Sequence, residues 1–216
     1  MNRRKRLAIV RRDAIHYLDR LRGWFASIDR NWPASQQDMS VSHVTINLLN
    51  TWSNFVRAYY LSCALSTKSS KGVKISAAVR ITSVNDAIGK AVTKYRPTAK
   101  AKSSGAWDRR EEPTWHDTNT LLSMATEIGM SNAAQVAAAL SLGSRVFSDL
   151  PTVRNYFAHR NESTFNAAIG IASFYGIAKR GEQPSTILRK RPLGRPQALL
   201  SEWIDDIHAT IEMLCH

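Results

Sequence analysis

Within six residues the chain places an arginine, a carboxamide and an imidazole: Arg154-Asn155-Tyr156-Phe157-Ala158-His159, followed at once by Arg160. A guanidinium can grip a phosphate through paired charge-assisted hydrogen bonds and offset the negative charge that builds in a transition state. An imidazole takes or gives a proton near neutral pH. A carboxamide can orient that ring or donate to a phosphate oxygen. These residue types are compatible with RNA cleavage, among other phosphate chemistry: a ribose 2′-hydroxyl would attack the neighbouring phosphorus, His159 would move a proton, Arg154 would hold the scissile phosphate and the 5′-oxygen would depart. On a helix Asn155 and His159 are i and i+4 neighbours on one face, and Arg154 lies beside that stripe about 7.5 Å along the axis from His159. The positive end of the same helix would add a favourable field for an anion.

Spacing of Arg to His is not specific by itself, since the chain has six histidines and many arginines. Arg11 with His16, and Arg109 or Arg110 with His116, have comparable separations. Pro113 interrupts the pairs ending at His116 and would break the helix the geometry needs. In the pair near the amino end the arginine is followed by Arg12 and Asp13, not by a small polar residue. A purely structural reading stays open: Arg154 and His159 could bond backbone or acidic partners at a helix junction. Serine and cysteine nucleophile motifs, glycine-rich phosphate loops and HExxH are absent, and His16, His43, His116, His208 and His216 show no ligand spacing. Neither a metal nor a cofactor is expected.

The elements that must position these groups read as helices throughout. Leu7, Val10, Ala14, Tyr17, Leu18, Leu21, Trp24, Phe25 and Ile28 recur at helical spacing, which predicts a long first helix ending near Asn31-Trp32-Pro33 with all of these on its apolar face. A second helix is predicted from about Ser40 to Leu65, with Trp52, Phe55, Tyr59 and Tyr60 as core. A third short helix reads from Asn85 to Tyr95, closed by Arg96-Pro97. Pattern resumes at Thr114 and stops around Gly129. Ser131 then reads as the cap of a run through Val136, Leu140 and Phe147. Asp149-Leu150-Pro151 reads as the start of the helix that carries Arg154 and His159, predicted to extend to about Ile177. Leu200 to Leu214 forms the last helix, with four acids and no lysine or arginine.

Charge is the other strong signal. A formal net charge of +13 and a pI near 10.2 create a field that attracts polyanions. The segment of about 67–113 reads as a basic insertion; its first part, 67–102, has Asp86 as its only acid, and 69–81 reads as a loop or small hairpin. Lys68, Lys71, Lys74, Arg80, Lys90 and Lys94 are candidate RNA contacts there. A basic linker of about 179–195 adds Lys179 and Arg180. No apolar run approaches the roughly 20 residues that span a bilayer, so no membrane partner is expected. Two cysteines outside any CxxC pattern fit a reducing, cytoplasmic setting.

The string RNYFAHR resembles the motif of the HEPN superfamily: an arginine, a small polar residue, a few mostly apolar residues, then histidine. That resemblance covers only this stretch of the chain. It implies a single all-α domain over 1–216, a helical bundle of the HEPN type elaborated by the basic insertion. It further implies a homodimer with a composite active site, metal-independent endoribonuclease activity, and an antitoxin or defence-system partner, with Arg154, Asn155 and His159 as the catalytic set. Composite geometry also answers a chemical difficulty, because one imidazole does not easily serve both sides of a phosphate. In one departure, members paired with a nucleotidyltransferase often carry a tyrosine two residues after the histidine, where this chain has Asn161. The alternative functional reading is a non-catalytic helical module that binds RNA or a protein; a DNA-binding protein is a third.

Overall fold

Helix follows the apolar spacing almost from the first described residue. A computed structural model describes residues 6–141 and 143–216, and over these the protein is all-α, with one two-stranded hairpin of two residues per strand. The order is α1 (Leu7–Ala26), α2 (Ala34–Ala64), β1 (Thr67–Lys68), β2 (Lys74–Ile75), α3 (Val84–Tyr95), α4 (Thr118–Glu127), α5 (Ala133–Leu140), α6 (Val146–His159), α7 (Glu162–Gly170), α8 (Pro184–Arg189) and α9 (Leu199–Cys215). Single 3-10 turns lie at Arg109–Glu111 and Ile171–Tyr175. Among the described residues no helix is long and apolar enough to cross a membrane.

The chain divides into two compact units, each assembled from separated segments. The first takes the described residues of 1–14, 53–143 and 210–216; the second takes 15–52 and 144–209.

In the first unit Phe55, Tyr59 and Tyr60 on α2 are buried together with Ile88, Leu121, Met124 and Leu214. Their polar tips are satisfied: Tyr60 donates to the Ala87 carbonyl at 2.8 Å, and the Asn132 amide donates to the Tyr59 hydroxyl at 2.7 Å. Asn132 immediately precedes α5, so the cap expected at Ser131 is displaced by one residue, and α5 stops at Leu140 well short of Phe147. The basic insertion is ordered by this unit. Thr67 pairs with Ile75 and Lys68 with Lys74, and the Thr67 hydroxyl accepts the first helical N–H of α1, from Leu7, at 3.3 Å. Gly129 ends α4 in a left-handed conformation (φ 59°), and a Cβ there would stand 2.8 Å from that of Ala78, so only glycine lets the insertion pack against this turn. Ser83 caps α3 by accepting from the Asp86 N–H at 3.0 Å.

The mixed-charge segment 107–113 contributes a well-buried ion pair to this unit, the Glu112 side chain being 3 % exposed. Arg57 grips Glu112 with two bonds of 2.6 and 2.8 Å, while Trp115 and Arg109 donate to the same carboxylate at 2.8 and 3.1 Å. Burial opposes ionisation of Glu112 more than any single contact favours it. The Arg57 and Trp115 hydrogen bonds and the two guanidinium charges together outweigh it and hold the carboxyl below its ordinary value of 4.5.

In the second unit the buried residues include Leu18 and Leu21 of α1, Val41, Val44, Leu48 and Trp52 of α2, Val146, Leu150 and Val153 of α6, and Trp203, Ile204 and Ile207 of α9. The stretch expected to be a linker contains α8, whose Ile187 and Leu188 are fully buried. Of the basic residues there, Arg189 is carried on this anchored helix, whereas Lys179 and Arg180 precede it.

Two outcomes test the Glu112 site. Arg57→Ala is expected to destabilise the protein by about 3 kcal/mol, the lower end for breaking a buried pair because Arg109 and Trp115 remain, read from chemical denaturation. Because the folded carboxyl titrates below the unfolded one, its stabilisation is complete above about pH 4.5 and lost as pH falls through the folded value. A Glu112→Gln protein should accordingly show a flatter stability profile below pH 4.5 than wild type.

Candidate active site

Helix α6 is fixed at one end and open at the other. It begins at Val146, a turn before the expected start, because the Ser144 hydroxyl accepts the Val146 N–H at 3.2 Å and donates to Asp206 at 2.6 Å. Pro151 therefore lies inside the helix, where its missing N–H leaves the Phe147 carbonyl without its helical donor. Asp149, only 4 % exposed, anchors this end. Its carboxylate accepts from Arg145 at 3.2 Å on each oxygen, and from the Tyr175 hydroxyl at 2.9 Å. Trp203 in turn donates to Tyr175 at 3.1 Å. Burial pushes the Tyr175 hydroxyl up, so it stays a donor to Asp149 across the physiological range.

The other end departs from expectation. In place of a continuous helix to about Ile177, α6 stops at His159, and Arg160 adopts a left-handed conformation (φ 41°, ψ 49°). The Arg160 N–H closes the helix on the Tyr156 carbonyl at 2.7 Å. Its guanidinium bonds Asp38 at 2.7 Å and the Ser42 hydroxyl at 3.0 Å, both on α2, and lies over the Tyr156 and Phe157 rings at 5.6 and 5.7 Å. Asn161 then caps α7: its side chain accepts from the Thr164 N–H at 2.9 Å while its own N–H donates to the Thr164 hydroxyl at 3.2 Å. Asn161 is thus occupied as the cap of this helix.

This break corrects the electrostatic expectation as well. Arg154, Asn155 and His159 occupy the last turns of α6, beside its carbonyl end, so the positive end of their own helix is remote from them. The amino end that follows closely is that of α7, with Glu162 in its first turn.

The three motif side chains share an unusual property. Tyr156 and Phe157 between them are buried, and Tyr156 packs edge-on against Phe165 of α7 at 5.8 Å. Asn155 and His159 are exposed and Arg154 is half-buried. Among the described residues no hydrogen bond, ion pair or ring contact engages Arg154, Asn155 or His159. The Arg154 Nε is itself buried with no acceptor, and a buried donor without a partner costs on the order of 1–3 kcal/mol. Comparison with protein-family models, with curated proteins and with solved structures finds no match for this chain. The arrangement must therefore be read from its own geometry.

That geometry separates the motif from its neighbour. Arg160 bonds an acidic partner at a helix junction, as the structural alternative expected of Arg154 and His159. Arg154 is left with an open donor, Asn155 with a free carboxamide, and His159 with a free ring.

The expected RNA contacts fall in both units. Lys68, Lys71, Lys74, Arg80, Lys90 and Lys94 belong to the first unit, whereas Lys179 and Arg180 share the second with the motif. All eight are exposed. The hairpin register brings Lys68 and Lys74 side by side, and both line an open cleft of about 660 Å³ with Arg6, Ser66, Ser69 and Ser70. Lys94 is engaged by Glu127 at 2.6 Å. Among the described residues no cluster of three or more His, Cys, Asp or Glu side chains is placed to hold a metal ion.

Arg160→Ala is expected to lower stability by about 1–2 kcal/mol through loss of the partly exposed Asp38 pair and its hydrogen bond. Arg160→Gly removes the same contacts yet recovers about 1 kcal/mol at the left-handed position. Urea midpoints of the two variants should differ in that order, and equal midpoints would show that the left-handed cap carries no strain.

Proposed function

We propose that the chain is a metal-independent endoribonuclease of the HEPN type. The observation that carries this reading is that Arg154, Asn155 and His159 are all free of structural bonds at the open end of α6, with the Arg154 Nε buried and lacking an acceptor. A phosphate oxygen would supply that acceptor, and exclusion of water around the nitrogen would strengthen the bond.

In the proposed reaction the 2′-oxygen forms a bond to phosphorus as the bond to the 5′-oxygen breaks. His159 takes the 2′-hydroxyl proton or delivers one to the leaving oxygen. Arg154 offsets the charge on the non-bridging oxygens, and Asn155 holds the imidazole or a phosphate oxygen. The products are a 2′,3′-cyclic phosphate and a free 5′-hydroxyl, and no water is consumed in this step. A second copy of the chain would supply the complementary acid or base, making the working enzyme a homodimer. The exposed lysines of the insertion and Lys179 with Arg180 would hold the RNA backbone, with a salt-sensitive affinity. An activity of this kind needs restraint, which fits a toxin or defence effector held by a partner protein.

The test is incubation of purified protein with RNA in excess EDTA, beside His159→Ala and Arg154→Ala variants whose folding is checked by circular dichroism. Cleavage leaving 2′,3′-cyclic phosphate ends is expected, reduced about 100-fold or more in each variant. RNA binding with no cleavage by wild type would overturn the enzyme in favour of a binding module.

A further inference from the structure

The face of α1 that the sequence assigns wholly to the core is open at one point. Tyr17, Arg20 and Trp24 lie at i, i+3 and i+7 and form one stripe. The Tyr17 and Trp24 rings stand 6.3 Å apart at 82°, and the Arg20 guanidinium bridges them, 5.6 Å from the first centroid and 5.1 Å from the second. From α2, His43 places its ring 5.3 Å from Trp24. Asn47, one turn further along, donates to the His43 carbonyl at 2.8 Å and accepts from the Tyr17 hydroxyl at 3.4 Å. Trp24 is 37 % exposed, Arg20 and His43 are exposed, and Met39, one turn before His43, is 70 % exposed.

The acid nearest in sequence does not neutralise this cluster. Asp19 is bound by Arg22 at 2.8 Å, and Arg22 also holds Asp205 at 2.5 Å. Among the described residues Arg20 has no carboxylate partner. Three aromatic rings and a guanidinium without a counter-ion thus share one exposed patch. A folded protein gains nothing by leaving such rings in water, and the cation–π contacts offset only about 0.5–1 kcal/mol each at an exposed site.

The patch fits one ligand chemistry well. An unpaired base offers a flat π face to Trp24 and His43, and its phosphate offers the anion Arg20 lacks. Bases inside a duplex are already stacked and cannot reach such a platform. Its position ties it to the motif. His43 directly follows Ser42, whose hydroxyl takes Arg160, so this turn of α2 carries both the platform and the contact that closes α6 behind His159.

We infer that Tyr17, Arg20, Trp24 and His43 form a stacking site for single-stranded RNA, holding a nucleotide that flanks the scissile position. This rests on the endoribonuclease reading for its place in the reaction, but not for the binding itself.

The test uses a fluorescently labelled, 2′-O-methyl single-stranded RNA, which lacks the attacking hydroxyl and so reports binding without cleavage. Anisotropy titrations would compare wild type with Trp24→Ala, Arg20→Gln and Trp24→Phe. Affinity is expected to fall about ten-fold or more in the first two, as for loss of one stacked base or its cation. It should stay within about three-fold of wild type in Trp24→Phe, which keeps a ring. Duplex RNA of the same sequence should bind alike to wild type and Trp24→Ala. If Trp24→Ala fails to fold, Arg20→Gln at the exposed surface decides alone. Wild-type affinity in both Trp24→Ala and Arg20→Gln overturns the inference, whether or not the enzyme cleaves. Failure of wild type to bind the single strand overturns it too, and leaves the patch to a partner of another class. Platform-dependent binding without cleavage of unmodified RNA upholds this inference while sinking the nuclease reading.

Discussion

The ion pair of Arg160 with Asp38 decides what the neighbouring residues are free to do. A helix end leaves its last carbonyls unpaired, and a nearby cation is a common answer to that need. Here the Arg160 backbone N–H meets the Tyr156 carbonyl through a left-handed cap, while its guanidinium is held by Asp38 and Ser42 and lies over Tyr156 and Phe157. With the junction satisfied, neither His159 nor Arg154 is drawn into it. Two basic groups close in sequence are thus divided, one fastening the fold and the other left half-buried with an unmet hydrogen-bonding capacity at its Nε.

The rest of α6 supports that division. Its first turns are held by Asp149, Arg145, Tyr175 and Trp203 in a chain of bonds between 2.9 and 3.2 Å. Buried Val153, Tyr156 and Phe157 fix the helix's rotation about its axis, which sets the directions of Asn155 and His159. A site on a helix so anchored holds its groups more tightly than one on a loop. The cost of stranding the Arg154 Nε is borne by this packing.

Much of the architecture was legible in the apolar spacing. The long α1 and α2, the short α3 before Arg96-Pro97 and the amphipathic α9 follow from periods that no other element type would bury. The aromatic core of α2 was legible for the same reason. What escaped the sequence depends on contacts distant along the chain. Nothing local marks Arg160 as a left-handed cap, because its stabilising partners lie near residue 40. Asn161 followed by Thr164 is a capping pair that could have been read as a helix start, and it would have ended α6 in the right place. The Arg57–Glu112 pair joins residues 55 positions apart, a contact that no local pattern marks. Trp24 carried the opposite error: its spacing matched the buried face of α1, but helical period alone does not say how far round the helix the core extends. Placing all eight basic residues on the surface was simple, since lysine and arginine are rarely buried without a partner.

The central claim concerns the open nitrogen of Arg154, and side-chain NMR observes it directly. In ¹⁵N-labelled protein the Arg154 Nε–H signal, assigned through an Arg154→Lys variant, would be followed as 2′-O-methyl RNA is added. The account predicts a saturable shift of that signal together with the His159 ring resonances. An Arg154 signal that stays in place while the RNA demonstrably binds would contradict it.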